Sequence, residues 1–213
     1  MKQLAINFQE AYPDLAPKEF TTSCKITEPE NAGTKKFQQI ELTDFSSYYF
    51  PHELAGKASS FPRIARHKGV LLFDCDGVTI FEKNGQKYIL YTELKSSFIL
   101  EEIVKAKDQL VGTHVKIKGV LSTLQGYDIN EYKPIGLIVS FAPTQEQLTT
   151  ISKNYDKRAS FAISLSNMRK YHMPSEKCNQ FYVPLAVGDF EIYYVGVPNR
   201  QTNYSISINE ILK

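Results

Sequence analysis

Two adjacent residues constrain this chain more than any others: Asn84-Gly85, set between the apolar, β-forming runs GVLLFDCDGVTIFEK and QKYILYTELKSS. Asn-Gly suits a two-residue hairpin turn, whose central positions both need positive φ and whose twist matches that of paired strands. Such a turn also fixes a register. Lys83 pairs with Gln86, Glu82 with Lys87, Phe81 with Tyr88, Ile80 with Ile89 and Val78 with Tyr91. Opposite charges and apolar side chains then meet across the strands, which is what stabilises an antiparallel pair. Provided no bulge intervenes, the same register carried to the open end sets Asp76 opposite Glu93 and Asp74 opposite Lys95. Period-two alternation puts all four on one face, at the end of an apolar stripe of Leu72, Val78, Ile80, Ile89 and Tyr91. Directly opposed side chains have Cβ atoms about 4.5–5.5 Å apart, where like charges repel. A shared proton, a cation or the neighbouring lysine would relieve the Asp76–Glu93 pair. A hard divalent cation is the expected relief, because magnesium takes one or two carboxylates and completes its shell with water.

Around the hairpin the sequence reads as alternating elements. Pro13, Pro17 and Pro29 punctuate an irregular start, and a short helix is expected after Pro51. From Phe98 to about Leu124, apolar residues Ile99, Ile103, Ala106, Leu110, Ile117, Leu121 and Leu124 recur at threes and fours, the pattern of an amphipathic helix interrupted near Gly112. The run PIGLIVSFA has the continuous apolar character of a strand covered on both faces. Thr144 and Gln147 make a capping box, and the helical region it opens is expected to run through NMRKYHM to Pro174. The tail, with QFYVPLAVGDFEIYYVGVPN and NYSISINEILK, is rich in aromatic and β-branched residues and reads as strands. A mixed α/β domain follows, with strands backed by helices.

An acid on one strand, Glu-x-Lys on the next, and a helix bearing Lys or Gln together resemble the PD-(D/E)XK nuclease superfamily. The residues that carry the resemblance are Asp76 in FDCDGV, Glu93-Leu94-Lys95 in YTELKSS, and IVKAKDQL. It implies a restriction-endonuclease-like αβββαβ core over residues 45–142, with a mixed central sheet flanked by helices. Residues 1–44 would precede that core as an N-terminal segment, and 143–213 would follow as an α+β extension packed on the same domain. The resemblance further implies that Asp76 and Glu93, with the backbone carbonyl of Leu94, hold Mg2+ or Mn2+ for phosphodiester hydrolysis. Lys95 would position the attacking water or steady the phosphate. Lys105, Lys107 and Gln109 on the helix would contact phosphate or support the lysine, although Lys105 is equally suited to an ion pair with Glu101. Glu53 is the candidate for an added metal contact, or a surface helix acid. Asp74 is the second choice of aspartate ligand.

Two other readings compete. FDCDGVTIF also resembles the nucleophile motif of haloacid-dehalogenase-like phosphatases, with Asp74 as nucleophile and a late acid at Asp189 or Glu191. A non-catalytic nucleic-acid-binding or assembly protein on a nuclease-like scaffold is the third. The net charge of +2 averages over local patches, of which Lys57 to Lys68, with Arg63 and Arg66, is the most basic. That run is the candidate nucleic-acid contact, with DNA the expected form; a homodimer or partner protein stays open for 143–213. Cys24, Cys75 and Cys178 are odd in number and widely spaced, and with His172 they form neither a zinc pattern nor a disulfide framework. No apolar run reaches the roughly 20 residues of a membrane span, and the N-terminus is a poor secretory signal. A cytoplasmic protein without a membrane partner is the expectation.

Overall fold

The computed structural model describes residues 1–28, 39–51, 53–58, 69–153, 157–174, 188–198 and 201–213. Arg63, Arg66 and Lys68 lie outside these. The hairpin forms as its turn demands: β5 (Gly77–Lys83) and β6 (Gln86–Lys95) pair antiparallel, from Lys83 with Gln86 through Val78 with Tyr91 to Gly77 with Thr92. Asn84 and Gly85 both take positive φ, 52° and 77°. For Asn84 this is tolerable and for Gly85 free of a Cβ penalty.

On the other side of β5 lies β4 (Ser47–Phe50), also antiparallel, with the edge strand β1 (Lys18–Phe20) beyond it. The short helix α2 (Glu53–Ala58) falls between β4 and β5. Within 45–142 the order is therefore strand, helix, two strands, helix, strand, so the first meander strand precedes the helix that was expected to lead.

The long helix α3 (Leu100–Leu121) crosses over to β7 (Tyr132–Phe141), which lies parallel to β6. Gly112 does not interrupt α3, because its middle is enclosed on all sides: Leu110, Val111, Thr113 and His114 are all buried there. β7 is covered on both faces as its apolar run requires. Side chains pack closely over Gly136 in β7: a Cβ there would lie 2.8 Å from Leu110 of α3 and 2.9 Å from Phe190, and these would have to shift to admit it.

The sheet continues with β9 (Phe190–Val197), parallel to β7, and ends on β8 (Lys170–Met173), antiparallel to β9. The capping box at Thr144 and Gln147 opens α4 (Gln145–Ser152), and α5 (Lys157–Met168) follows. The stretch KYHM was expected to be helical and is instead β8. Arg169, at φ 53°, turns the chain out of α5, and its carbonyl accepts from the Tyr194 N–H at 2.9 Å. Tertiary pairing with β9 overrides the local helical pattern.

The result is an α/β fold on a mixed seven-stranded sheet, in the order β1-β4-β5-β6-β7-β9-β8. One face carries Val78, Ile80, Ile89, Tyr91, Ile138 and Tyr194 against α3, α5 and α1 (Lys2–Ala11). The opposite face carries Phe81, Leu90, Leu94, Leu137 and Val195. They pack on a small sheet of β2 (Ser23–Thr27), β3 (Gln39–Thr43) and β10 (Asn203–Ser207), with Ile208 and Ile211 of α6 (Ile208–Ile211). Strand alternation thus divides the apolar residues between two cores and leaves Glu93 and Lys95 on the α3 side.

Candidate active site

β5 starts at Gly77, and residues 73–76 before it are not strand. They follow a 3-10 turn, Gly69–Leu72, where Leu72 is exposed and takes no part in the apolar stripe. The ladder that would set Asp76 opposite Glu93 and Asp74 opposite Lys95 therefore does not form; it ends at Gly77 with Thr92. α3 supplies the reason, because its side chains satisfy the backbone of this segment in place of a strand. Gln109 Nε2 donates to the Asp74 carbonyl at 2.9 Å, and the Cys75 N–H donates to Thr113 Oγ1 at 2.8 Å. Lys116 Nζ donates to the Phe73 carbonyl at 2.8 Å and pairs with the Asp74 carboxylate. Tyr49 of β4 donates its hydroxyl to the Asp76 carbonyl at 3.3 Å.

So held, Asp76 turns its carboxylate toward β6, where Oδ2 accepts from the Leu94 N–H at 2.7 Å. Glu93, one residue earlier, is 2% exposed, and its Oε2 is buried without a hydrogen-bond partner. Burial pushes its carboxyl well above the usual carboxylate range; the Asp76 charge adds to this and the Lys95 ammonium opposes it. Lys95 is itself buried at the end of β6 and donates to Glu93 Oε1 at 2.6 Å and to Gln109 Oε1 at 2.7 Å. Glu102, in the first turn of α3, lies 3.7 Å from the same ammonium.

Asp76, Glu93, Lys95 and Gln109 are thus brought to one place, with Leu94 linking the two acids. Asp74 stands beside them but points to Lys116. Lys107 does not join them: it pairs with Asp108 at 3.5 Å and lies over the Phe161 ring of α5, because two positions of helix separate its direction from that of Gln109. Lys105 is exposed on α3. Glu53 is exposed in the first turn of α2; with burial leading, its charge and that of Asp76 help raise the Tyr49 phenol. Glu191 is claimed elsewhere, by Lys133 at 2.7 Å and Lys170 at 2.9 Å.

Tyr49, Thr113, Lys116 and Glu102 are participants that sequence reasoning missed. A signal was there: the apolar spacing of α3 lapses between Leu110 and Ile117, where Thr113 and Lys116 stand. That gap marks a polar stripe facing the 73–76 segment and not a break in the helix.

Among the described residues no group of three or more His, Cys, Asp or Glu side chains gathers as a metal cluster. The donor set that does form, two adjacent carboxylates of which one has an orphaned buried oxygen, fits a magnesium-type ion that keeps most of its waters. No described helix is long and apolar enough to cross a membrane. Comparison with protein-family models, with curated proteins and with solved structures gives no match for the chain.

Proposed function

We propose that the protein is a metal-dependent nuclease of the PD-(D/E)XK type, with Asp76 and Glu93 holding Mg2+ or Mn2+ and Lys95 acting beside them. The observation that carries this reading is Glu93 Oε2, a buried carboxylate oxygen with no partner, next to a second acid and a buried lysine. Leaving such an oxygen unsatisfied is costly, and a cation in contact with Asp76 would remove the cost. The element order also supports the reading. An antiparallel meander β4-β5-β6, the α3 crossover and the parallel β7 are compatible with a restriction-endonuclease-like core, although α2 lies within the meander and does not lead it.

A bound divalent ion supplies a water of lowered pKa and stabilises charge developing on a phosphodiester. The chain's own residues do the rest. The Leu94 N–H orients the Asp76 carboxylate, and Gln109, anchored on the Asp74 carbonyl, orients the Lys95 ammonium. Lys95 is then placed to hold a non-bridging phosphate oxygen or the attacking water. Glu93 must lose its proton to bind the ion, so metal affinity and cleavage rise with pH through its raised titration.

Purified protein is expected to cleave single- or double-stranded DNA or RNA with Mg2+ or Mn2+ and not with EDTA. Asp76→Asn, Glu93→Gln and Lys95→Ala should each lower the rate by at least about 10²-fold. Activity that survives both Glu93→Gln and Lys95→Ala would end this reading. One observation favours a non-catalytic binding module: Lys95 already pairs with Glu93, at 2.6 Å, without a cation. Nucleic-acid binding without cleavage at any metal concentration would select that alternative. The phosphatase alternative places Asp74 as nucleophile, and phosphomonoester turnover lost in Asp74→Asn but kept in Glu93→Gln would select it.

A further inference from the structure

The segment carrying Asp76 is held in an unusual way. Residues 73–76 precede β5, and their backbone groups are tied to side chains: Phe73 by Lys116, Asp74 by Gln109, Cys75 by Thr113 and Asp76 by Tyr49. Three of the four anchors come from α3 at spacings of four and three, hence from one face of the helix. The Lys116 side chain is 0% exposed, and Asp74, whose side chain is 24% exposed, supplies its counter-charge. A buried ion pair is weak evidence for stability, since apolar side chains of similar size often serve as well or better. Its presence here calls for a role in geometry.

We infer that Lys116 and Asp74 form a positioning strut: the ion pair, anchored on a buried lysine, fixes the 73–76 segment so that Asp76 presents its carboxylate to Leu94 and Glu93. Asp74 is then not a ligand and not a nucleophile; it acts through Asp76. The toggle point is the Leu94 N–H, the donor that reads where Asp76 Oδ2 lies. For metal binding the inference rests on the nuclease reading, but the position of Asp76 can be measured without any metal.

The decisive variant is the double substitution Asp74→Leu with Lys116→Met, which removes both charges of the pair together. It is expected to fold, with circular dichroism like that of the parent. In metal-free protein, amide exchange at Leu94 should rise about tenfold or more while Leu90 in the same strand keeps its protection. In Mn2+ titrations followed by electron paramagnetic resonance, the variant should bind about 10–100-fold more weakly, the usual loss when a group supporting a metal ligand is removed. Unchanged Leu94 exchange in a folded double variant overturns the strut. Should the double variant fail to fold, Lys116→Arg serves instead: the strut predicts partial return of Leu94 protection relative to Lys116→Met, and equal exchange in the two overturns it. If the parent protein binds no Mn2+ while Leu94 exchange responds as stated, the strut stands and the nuclease reading falls.

Discussion

The two ends of the β5–β6 hairpin are built by opposite means. At the turn end, Asn84 and Gly85 close the chain locally and set the register of Glu82 with Lys87 and Lys83 with Gln86, while the Lys87 and Gln86 side chains also reach Glu131 ahead of β7. At the open end the ladder stops at Gly77 and Thr92, and Asp76 is placed by a helix more than thirty residues further along the chain. The first end is specified by backbone conformation and the second by tertiary hydrogen bonds around buried charge. Only the second carries groups able to do chemistry. The contrast teaches that the hairpin brings Glu93 and Lys95 to the right face, whereas α3 decides where their partner acid stands.

That contrast can be broken most forcefully at Asp74. Asp74→Ala removes the carboxylate that pairs with the buried Lys116 ammonium, and breaking such a pair costs up to about 3–5 kcal/mol. Chemical denaturation should show the loss; a change under 1 kcal/mol, on the scale of exposed ion pairs, would mean that the pair is solvated. The double variant described above should recover most of the stability but not the Asp76 geometry.

A second effect separates the ends by pH. Because burial and Asp76 raise the Glu93 carboxyl, the folded state binds more protons than the unfolded one between the ordinary glutamate value and the raised one. Stability of the metal-free protein from this group is therefore highest at or below the unfolded value and falls as pH rises toward the folded one. Glu93→Gln should flatten that fall and be the more stable protein at neutral pH, while losing cleavage. Thermal melts of both proteins across pH check this; parallel curves would show that Glu93 titrates normally.

The smallest effect belongs to the turn. Gly85→Ala places a Cβ at φ 77° and should cost about 1–2 kcal/mol of stability with metal-dependent cleavage unchanged, because nothing at that end touches the acids. Loss of cleavage in a folded Gly85→Ala protein would show that the two ends are coupled.

How much was legible in the sequence follows the same division. The turn, the register from Lys83 to Val78, the doubly covered β7 and the Thr144 cap depend on neighbours within a few residues, and all could be read directly. That Glu93 and Lys95 share a face followed from strand alternation, whereas Gln109 beside Lys95 was implied only by the family resemblance. Residues 73–76 could not be read, since an apolar run with two acids looks like strand until the donors and acceptors of α3 are known. For the same reason KYHM looked like the end of a helix: its strand partner, β9, lies beyond Phe190 in the chain. Lys116 was hidden as one lysine among several on a helix, and only its burial separates it from the exposed Lys105.

The most direct measurement is a crystal grown or soaked with Mn2+ and read at the manganese absorption edge. The account predicts an anomalous peak bound by oxygens of both Asp76 and Glu93, with Lys95 shifted off Glu93 Oε1 and still held by Gln109. No peak at saturating Mn2+, with Lys95 remaining on Glu93, would contradict it.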